Sequence, residues 1–264
     1  MEVWVAGLVI VAASALCAGG MLLVRRQGRG PYFEDPIPAA AIYTVVGTAY
    51  MVIVAFVFFV AFESYGGAKA DAEEEATAML AMFHAAVPFE PTARGRLQGH
   101  VVCYAREVIA DEWPAMREGD TSEVVDERVT ALEASAFGLA LEDEKQVAAY
   151  EHWFALNEDR RKGRQGRLSQ ASGLVPPVLW LILIAGAVVV VGGVAFFADR
   201  REPALTQAAM MVAVVVIVVS GLLLVRFLDR PYEDRSGSIR PTAMASALAQ
   251  IETEEQRRPA LTRC

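Results

Sequence analysis

The chain is poor in the side chains that usually carry chemistry, with three cysteines and three histidines among 264 residues. Cys17, Cys103 and Cys264 lie far apart and form no C-x-x-C pair, so their spacing implies no disulfide framework. A structural zinc ion takes about four ligands, and none of His84, His100 and His152 stands at ligand spacing from a cysteine. No metal is expected. Positive charge is also short: 24 Lys and Arg against 32 Asp and Glu give a formal charge of −8, which argues against nucleic acid as a partner. The chain has no Gly-rich phosphate loop, G-x-S-x-G elbow, H-E-x-x-H helix or paired His/Cys arrangement. Catalytic residues and cofactors are therefore not expected, and the chain does not read as an enzyme.

What the chain does have is apolar sequence in blocks. Its residues are 55 % hydrophobic and 21 % charged, and the mean hydropathy is +0.34. Crossing a hydrocarbon core of about 30 Å takes about 20 mainly apolar residues. Residues 3–24, 39–62, 175–197 and 205–225 qualify, and none of them contains a charge. Backbone groups in lipid must be satisfied internally, so these spans predict helices, including the Val-rich stretches 188–191 and 214–216. The first span could be taken for a cleaved signal peptide. Its start carries Glu2 and no Lys or Arg, and its apolar stretch is too long for an h-region, which favours a retained membrane helix.

The expected fold class is all-α: an integral membrane protein with four transmembrane helices in two pairs and a helical domain between them. The expected divisions are 3–62, a first helix pair; 63–174, an acidic helical soluble domain; 175–227, a second pair; and 228–264, a polar tail. Positive charge marks cytoplasmic flanks. Arg25, Arg26, Arg29, Arg200 and Arg201 lie on one side. Lys69, the basic run 160–167, Arg226, Arg230, Arg235 and Arg240 lie on the other. The second set is larger, which places both termini and the central domain in the cytoplasm and the spans in the plasma (inner) membrane. The arginines of the first loop count against this.

The stretch 68–87 sets Glu73, Glu74 and Glu75 beside Met79, Leu80, Met82 and Phe83, with no breaker after Gly67, so it reads as a continuation of the second span. The three glutamates read as a solvated face. Pro91 suits a first helical position. Leu97, Val101, Tyr104, Val108 and Ile109 recur at helical spacing up to Asp111-Glu112-Trp113-Pro114, with Trp113 a core or interface anchor. Gly119-Asp120-Thr121-Ser122 is a stop followed by a capped restart. Val125, Val129, Leu132 and Phe137 form one further apolar face, and Val147, Tyr150 and Phe154 another. The spans hold no carboxylate or Lys, which removes the usual proton relay of a pump, and no broken helix or internal repeat points to a transporter.

Four segments occur together in this order: Phe62-Glu63-Ser64-Tyr65; Asp111-Glu112-Trp113-Pro114-Ala115-Met116; Ser172-Gly173-Leu174-Val175-Pro176-Pro177-Val178-Leu179-Trp180; and Leu228-Asp229-Arg230-Pro231-Tyr232. In them the chain resembles the bacterial bestrophin-like membrane proteins, a family built on a domain of unknown function, over roughly residues 39–232. The resemblance implies distant similarity to bestrophins, pentameric anion channels whose second span lines a hydrophobic neck with apolar residues four apart. Matched on Val54-Ala55-Phe56, the pore-lining candidates here are Thr48, Val52 and Phe56. Four-residue spacing keeps them on one helical face. Thr48 departs from the pattern in being polar. Pro231-Tyr232-Glu233-Asp234 resembles the calcium-binding segment of the animal members but is short of carboxylates, so no calcium site is assigned.

The expected function is an oligomeric ion channel, anion-conducting through that neck, with the lipid bilayer, further copies of the chain and inorganic ions as partners. The alternative is a non-conducting membrane scaffold or sensor whose acidic helical domain recruits a partner.

Overall fold

A computed structural model describes residues 3–27, 33, 35–197 and 201–256. Arg29, Arg200 and Cys264, named above, lie outside the described residues. Among the described residues every regular element is helical: α1 (Val3–Gln27), α2 (Pro36–Ala85), α3 (Pro91–Glu107), a π-helical turn (Val108–Glu112), α4 (Trp113–Glu118), α5 (Glu123–Ala136), α6 (Glu144–Ser169), α7 (Pro177–Phe196), α8 (Ala204–Asp229) and α9 (Thr242–Gln256). The protein is an all-α integral membrane protein with four membrane-length helices, α1, α2, α7 and α8. In their most apolar windows only 11–22 % of residues are buried, so large side chains such as Leu8, Ile42, Phe59, Val188 and Ile217 stand exposed. Contiguous apolar surface on that scale needs lipid or another protein surface against it.

Two units divide the chain: Met1–Ser64 with Leu174–Asp229, and Tyr65–Gly173 with Arg230–Cys264. In the membrane unit, Met21 of α1 packs against Met211 and Val215 of α8. A second cluster joins Tyr50, Val54 and Val57 of α2 to Leu183 and Val190 of α7 and Val218 and Val225 of α8.

The other unit has its own core, built on Met79, Met82, Leu97, Val101, Tyr104, Val108, Trp113, Leu132 and Trp153. The stretch expected as a polar tail supplies α9, whose Met244, Ala247 and Ile251 join this core. The helix does not break at Pro114. Pro114 sits in the first turn of α4, and the π-helical turn before it absorbs the missing N–H. Gly119 ends α4 at φ 90°, a left-handed conformation that suits glycine. Ser122 occupies the N-cap of α5 without capping through its hydroxyl, among the described residues, whereas the Asp143 carboxylate accepts from Gln146 N at 2.7 Å and starts α6.

Two further readings of this unit change. Glu73 and Glu74 are exposed as expected, but Glu75 is fully buried. Tyr150 and Phe154 of α6 are half-buried and pack against the core as expected, but Val147 is exposed, and the fully inward positions are Gln146, Trp153, Asn157, Arg160, Gly163 and Arg167. That face reaches the backbone of α2. A Cβ on Gly163 would lie 2.7 Å from Glu75 N and 2.8 Å from Asp71 O. Gly163→Ala is expected to cost about 1–3 kcal/mol through overpacking. Gly66→Ala on α2, with nothing within 4 Å among the described residues, should leave stability unchanged or slightly raised. Thermal melts of the two variants side by side check this, and equal melting temperatures would refute the close approach.

Candidate functional site

The rotation of α2 about its own axis decides what its exposed face presents. Two tyrosines set it. Tyr50 lies over Gly186 of α7, where a Cβ would collide with the ring, and its hydroxyl donates to Leu183 O at 3.1 Å. One heptad away the arrangement repeats: Tyr43 lies over Gly193, and its hydroxyl donates to Val190 O. Each tyrosine thus needs a glycine beneath its ring and a carbonyl three residues before that glycine. Small residues allow this approach between membrane helices.

At about 100° per residue, a position two residues from Tyr50 or Val54 points about 200° away from it. Thr48, Val52 and Phe56 are therefore turned away from the packed face. All three are exposed, Val52 by 64 % and Phe56 by 68 %. Beside Phe56 lies an apolar cavity of about 450 Å³, bounded by Val52, Val60, Val175, Pro176 and Leu179. Asp229, the last residue of α8, fixes one wall: its carboxylate accepts from Leu174 N at 2.8 Å, Val175 N at 2.7 Å and Trp180 Nε1 at 3.4 Å. Two of the sequence segments that carried the family resemblance meet in these bonds.

In the other unit the sequence reading missed a buried ion chain. The Glu75 carboxylate receives Arg167 through Nε at 2.6 Å and Nη2 at 2.9 Å, and accepts the Tyr104 hydroxyl. Arg167 also donates to Glu112, Glu112 accepts from Arg164 Nε at 3.0 Å, and Arg164 reaches Asp126 at 2.7 Å. The Arg167 guanidinium lies 4.8 Å from the centroid of the Trp113 ring, and Trp113 donates to Ile239 O at 3.3 Å. Burial opposes the charged form of Arg167, but the Glu75 and Glu112 carboxylates outweigh it and raise its pKa. Burial, reinforced by Glu75, pushes the Tyr104 phenol up and keeps it a donor. Glycines inside a basic helical run were the available sign, since Gly163 and Gly166 are where α6 meets α2. Among the described residues no group of His, Cys, Asp and Glu is arranged to hold a metal ion.

Asp71, next to this chain, accepts from Gln170 Nε2 at 3.0 Å. Burial first, and the Glu74 carboxylate second, raise its pKa. A carboxyl raised on folding binds its proton more tightly in the folded chain. Ionised Asp71 therefore opposes folding, and the cost fades as pH falls through the folded pKa. Asp71→Asn should raise the melting temperature near pH 7.5, and the gain should vanish below about pH 4. A gain that grew on acidification would contradict the assignment.

The Bestrophin-like domain model matches residues 10–244. No curated protein matches the sequence. Similar solved structures include crystal structures of a bacterial bestrophin homologue from Klebsiella pneumoniae. A single-residue variant is 13 % identical, with a TM-score of 0.71 over 94 % of this chain and 98 % of that one. The form solved by zinc phasing is also 13 % identical, with a TM-score of 0.69 over 91 % and 96 %.

Proposed function

The chain belongs to the Bestrophin-like family, and from that premise we propose that it assembles as an oligomeric ion channel, anion-conducting through a hydrophobic neck formed by α2. One observation supports this most: Thr48, Val52 and Phe56 form an exposed face on a membrane helix whose opposite face is fixed by Tyr43 and Tyr50. Copies arranged around an axis turn such a face into stacked rings, and apolar rings gate by expelling water. The α2 segment from Pro36 to Phe62 contains no Asp or Glu, so it offers no carboxylate ring of the kind that selects cations. The ring is five-fold by resemblance, closed by heterologous contacts. The central domain and termini face the cytoplasm.

Purified protein in planar bilayers under a salt gradient tests the reading. Currents reversing near the anion equilibrium potential, from a species whose detergent-corrected mass fits a closed ring, support it. A monomer or dimer, or an assembled ring without current, favours the scaffold. Orientation is read by placing a cysteine at exposed Lys162 and labelling intact cells with an impermeant thiol reagent. Labelling before permeabilisation would reverse the topology.

A further inference from the structure

We propose that the concavity between α5 and α6 is a binding site for a small oxyanion, a phosphate or carboxylate group carrying a short apolar portion. The hollow encloses about 510 Å³, within the roughly 300–1,000 Å³ of small-molecule sites. Three guanidinium groups line it, from Arg160, Arg161 and Arg164. Among the described residues one lining carboxylate faces them, Glu133. Its Oε1 is already divided between Asn157 at 3.3 Å, Arg160 at 3.3 Å and Arg161 at 3.8 Å.

The donors are correspondingly under-used. Arg160 is fully buried. It donates through Nε to Asn157 at 2.9 Å and through Nη2 to Glu133, while its Nη1 meets no acceptor among the described residues. Arg161 is 59 % exposed and stands 3.8 Å from Glu133 and 3.9 Å from Glu158, beyond hydrogen-bond length from either. Arg164 gives Nε and Nη2 to Glu112 and Asp126. A buried guanidinium donor without an acceptor is costly, and planar guanidinium forks suit oxyanions. Val129 and Leu168 supply an apolar wall, and Gln165 stands exposed beside Arg161 and Arg164.

An occupant that draws on Arg164 would also bear on α2, because Arg164 shares Glu112 with Arg167, and Arg167 holds Glu75 of α2. That consequence for conduction rests on the channel reading. Binding does not, and it is measured without current.

The test is calorimetric titration of the full-length protein in detergent at constant ionic strength, with inorganic phosphate and separately with butyrate. Saturable binding of either probe at millimolar concentration or below, one per chain, is expected. Arg161→Ala and Gln165→Glu, both at exposed positions, should each weaken it by roughly tenfold, the first by losing one charge-assisted contact and the second by setting a carboxylate against the bound anion. Lys162→Ala, one residue away but outside the hollow, should leave it unchanged. No saturable binding of either probe overturns the site. So does binding indifferent to both pocket variants, or weakened equally by Lys162→Ala.

Discussion

Arg167→Met should lower the stability of the protein by about 3–5 kcal/mol, the cost of breaking a buried ion pair from one side. Arg167 is fully buried and engages two fully buried carboxylates, Glu75 and Glu112. Methionine fills much of the same space, so the loss is electrostatic more than steric. After the change Glu112 keeps Arg164, but among the described residues Glu75 keeps only the Tyr104 hydroxyl. Glu75 is therefore the stranded charge. Removing it as well, in the double variant Glu75→Leu with Arg167→Met, should recover part of the loss, because buried ion pairs exchange for well-packed apolar pairs at little net cost. The coupling between the two sites should exceed 1 kcal/mol, as about 0.5–3 kcal/mol is usual for residues in one network. Arg167→Lys should not rescue, since a point-like ammonium cannot reproduce the two-pronged contact. Urea unfolding of the wild type, Arg167→Met, Glu75→Leu and the double variant measures the coupling, with Arg167→Lys run beside them. Strictly additive losses would mean that Glu75 and Arg167 do not act as a pair.

This chain also explains which parts of the molecule were legible in the sequence. The spans were legible because the bilayer sets their length and excludes charge, two properties that need no tertiary information. The run of α2 beyond the second span was legible for a similar reason: nothing between Gly67 and Ala85 breaks a helix. The inward face of α6 was not, because hydrophobic periodicity registers only apolar side chains and this face buries Asn157, Arg160, Gly163 and Arg167. Glu75 was hidden by its neighbours. Consecutive helical residues point about 100° apart, so Glu73, Glu74 and Glu75 could not share one solvated face. The basic run 160–167 has the composition of a membrane flank. Arg160 and Arg167 are buried against Glu133, Glu75 and Glu112, so they report the packing of their own unit more than the side of a membrane. For Thr48, Val52 and Phe56 the spacing gave a common face but not its direction. That direction depends on tyrosine-over-glycine contacts seven residues apart, which involve two distant helices.

Phe56→Ala should raise conductance several-fold while leaving fold and assembly intact. Shortening a fully buried phenylalanine costs about 3–5 kcal/mol, but changes at exposed positions usually stay within about 0.5 kcal/mol. Phe56 is 68 % exposed on the single chain, so little packing within the chain is lost. What the substitution removes is a wide apolar ring from each copy at one level of the proposed neck. A dewetted constriction resists ions by denying them water, so widening it lowers the barrier without adding charge. Val52, one turn earlier on the same face, should act in the same direction, and Val52→Ala should do less because it removes less volume. The competing arrangement has Phe56 against lipid or a neighbouring copy. In that case the alanine variant would lose assembly, seen as a fall in the mass of the detergent complex, or would change nothing at all. The two readings thus separate on paired measurements of mass and current from one preparation. Unchanged currents from a correctly assembled Phe56→Ala protein would remove the neck from this face of α2. The search would then move around the helix to the face carrying Thr44 and Met51, where the Thr44 hydroxyl already bonds Ala40 O at 2.8 Å and leaves Met51 as the apolar candidate.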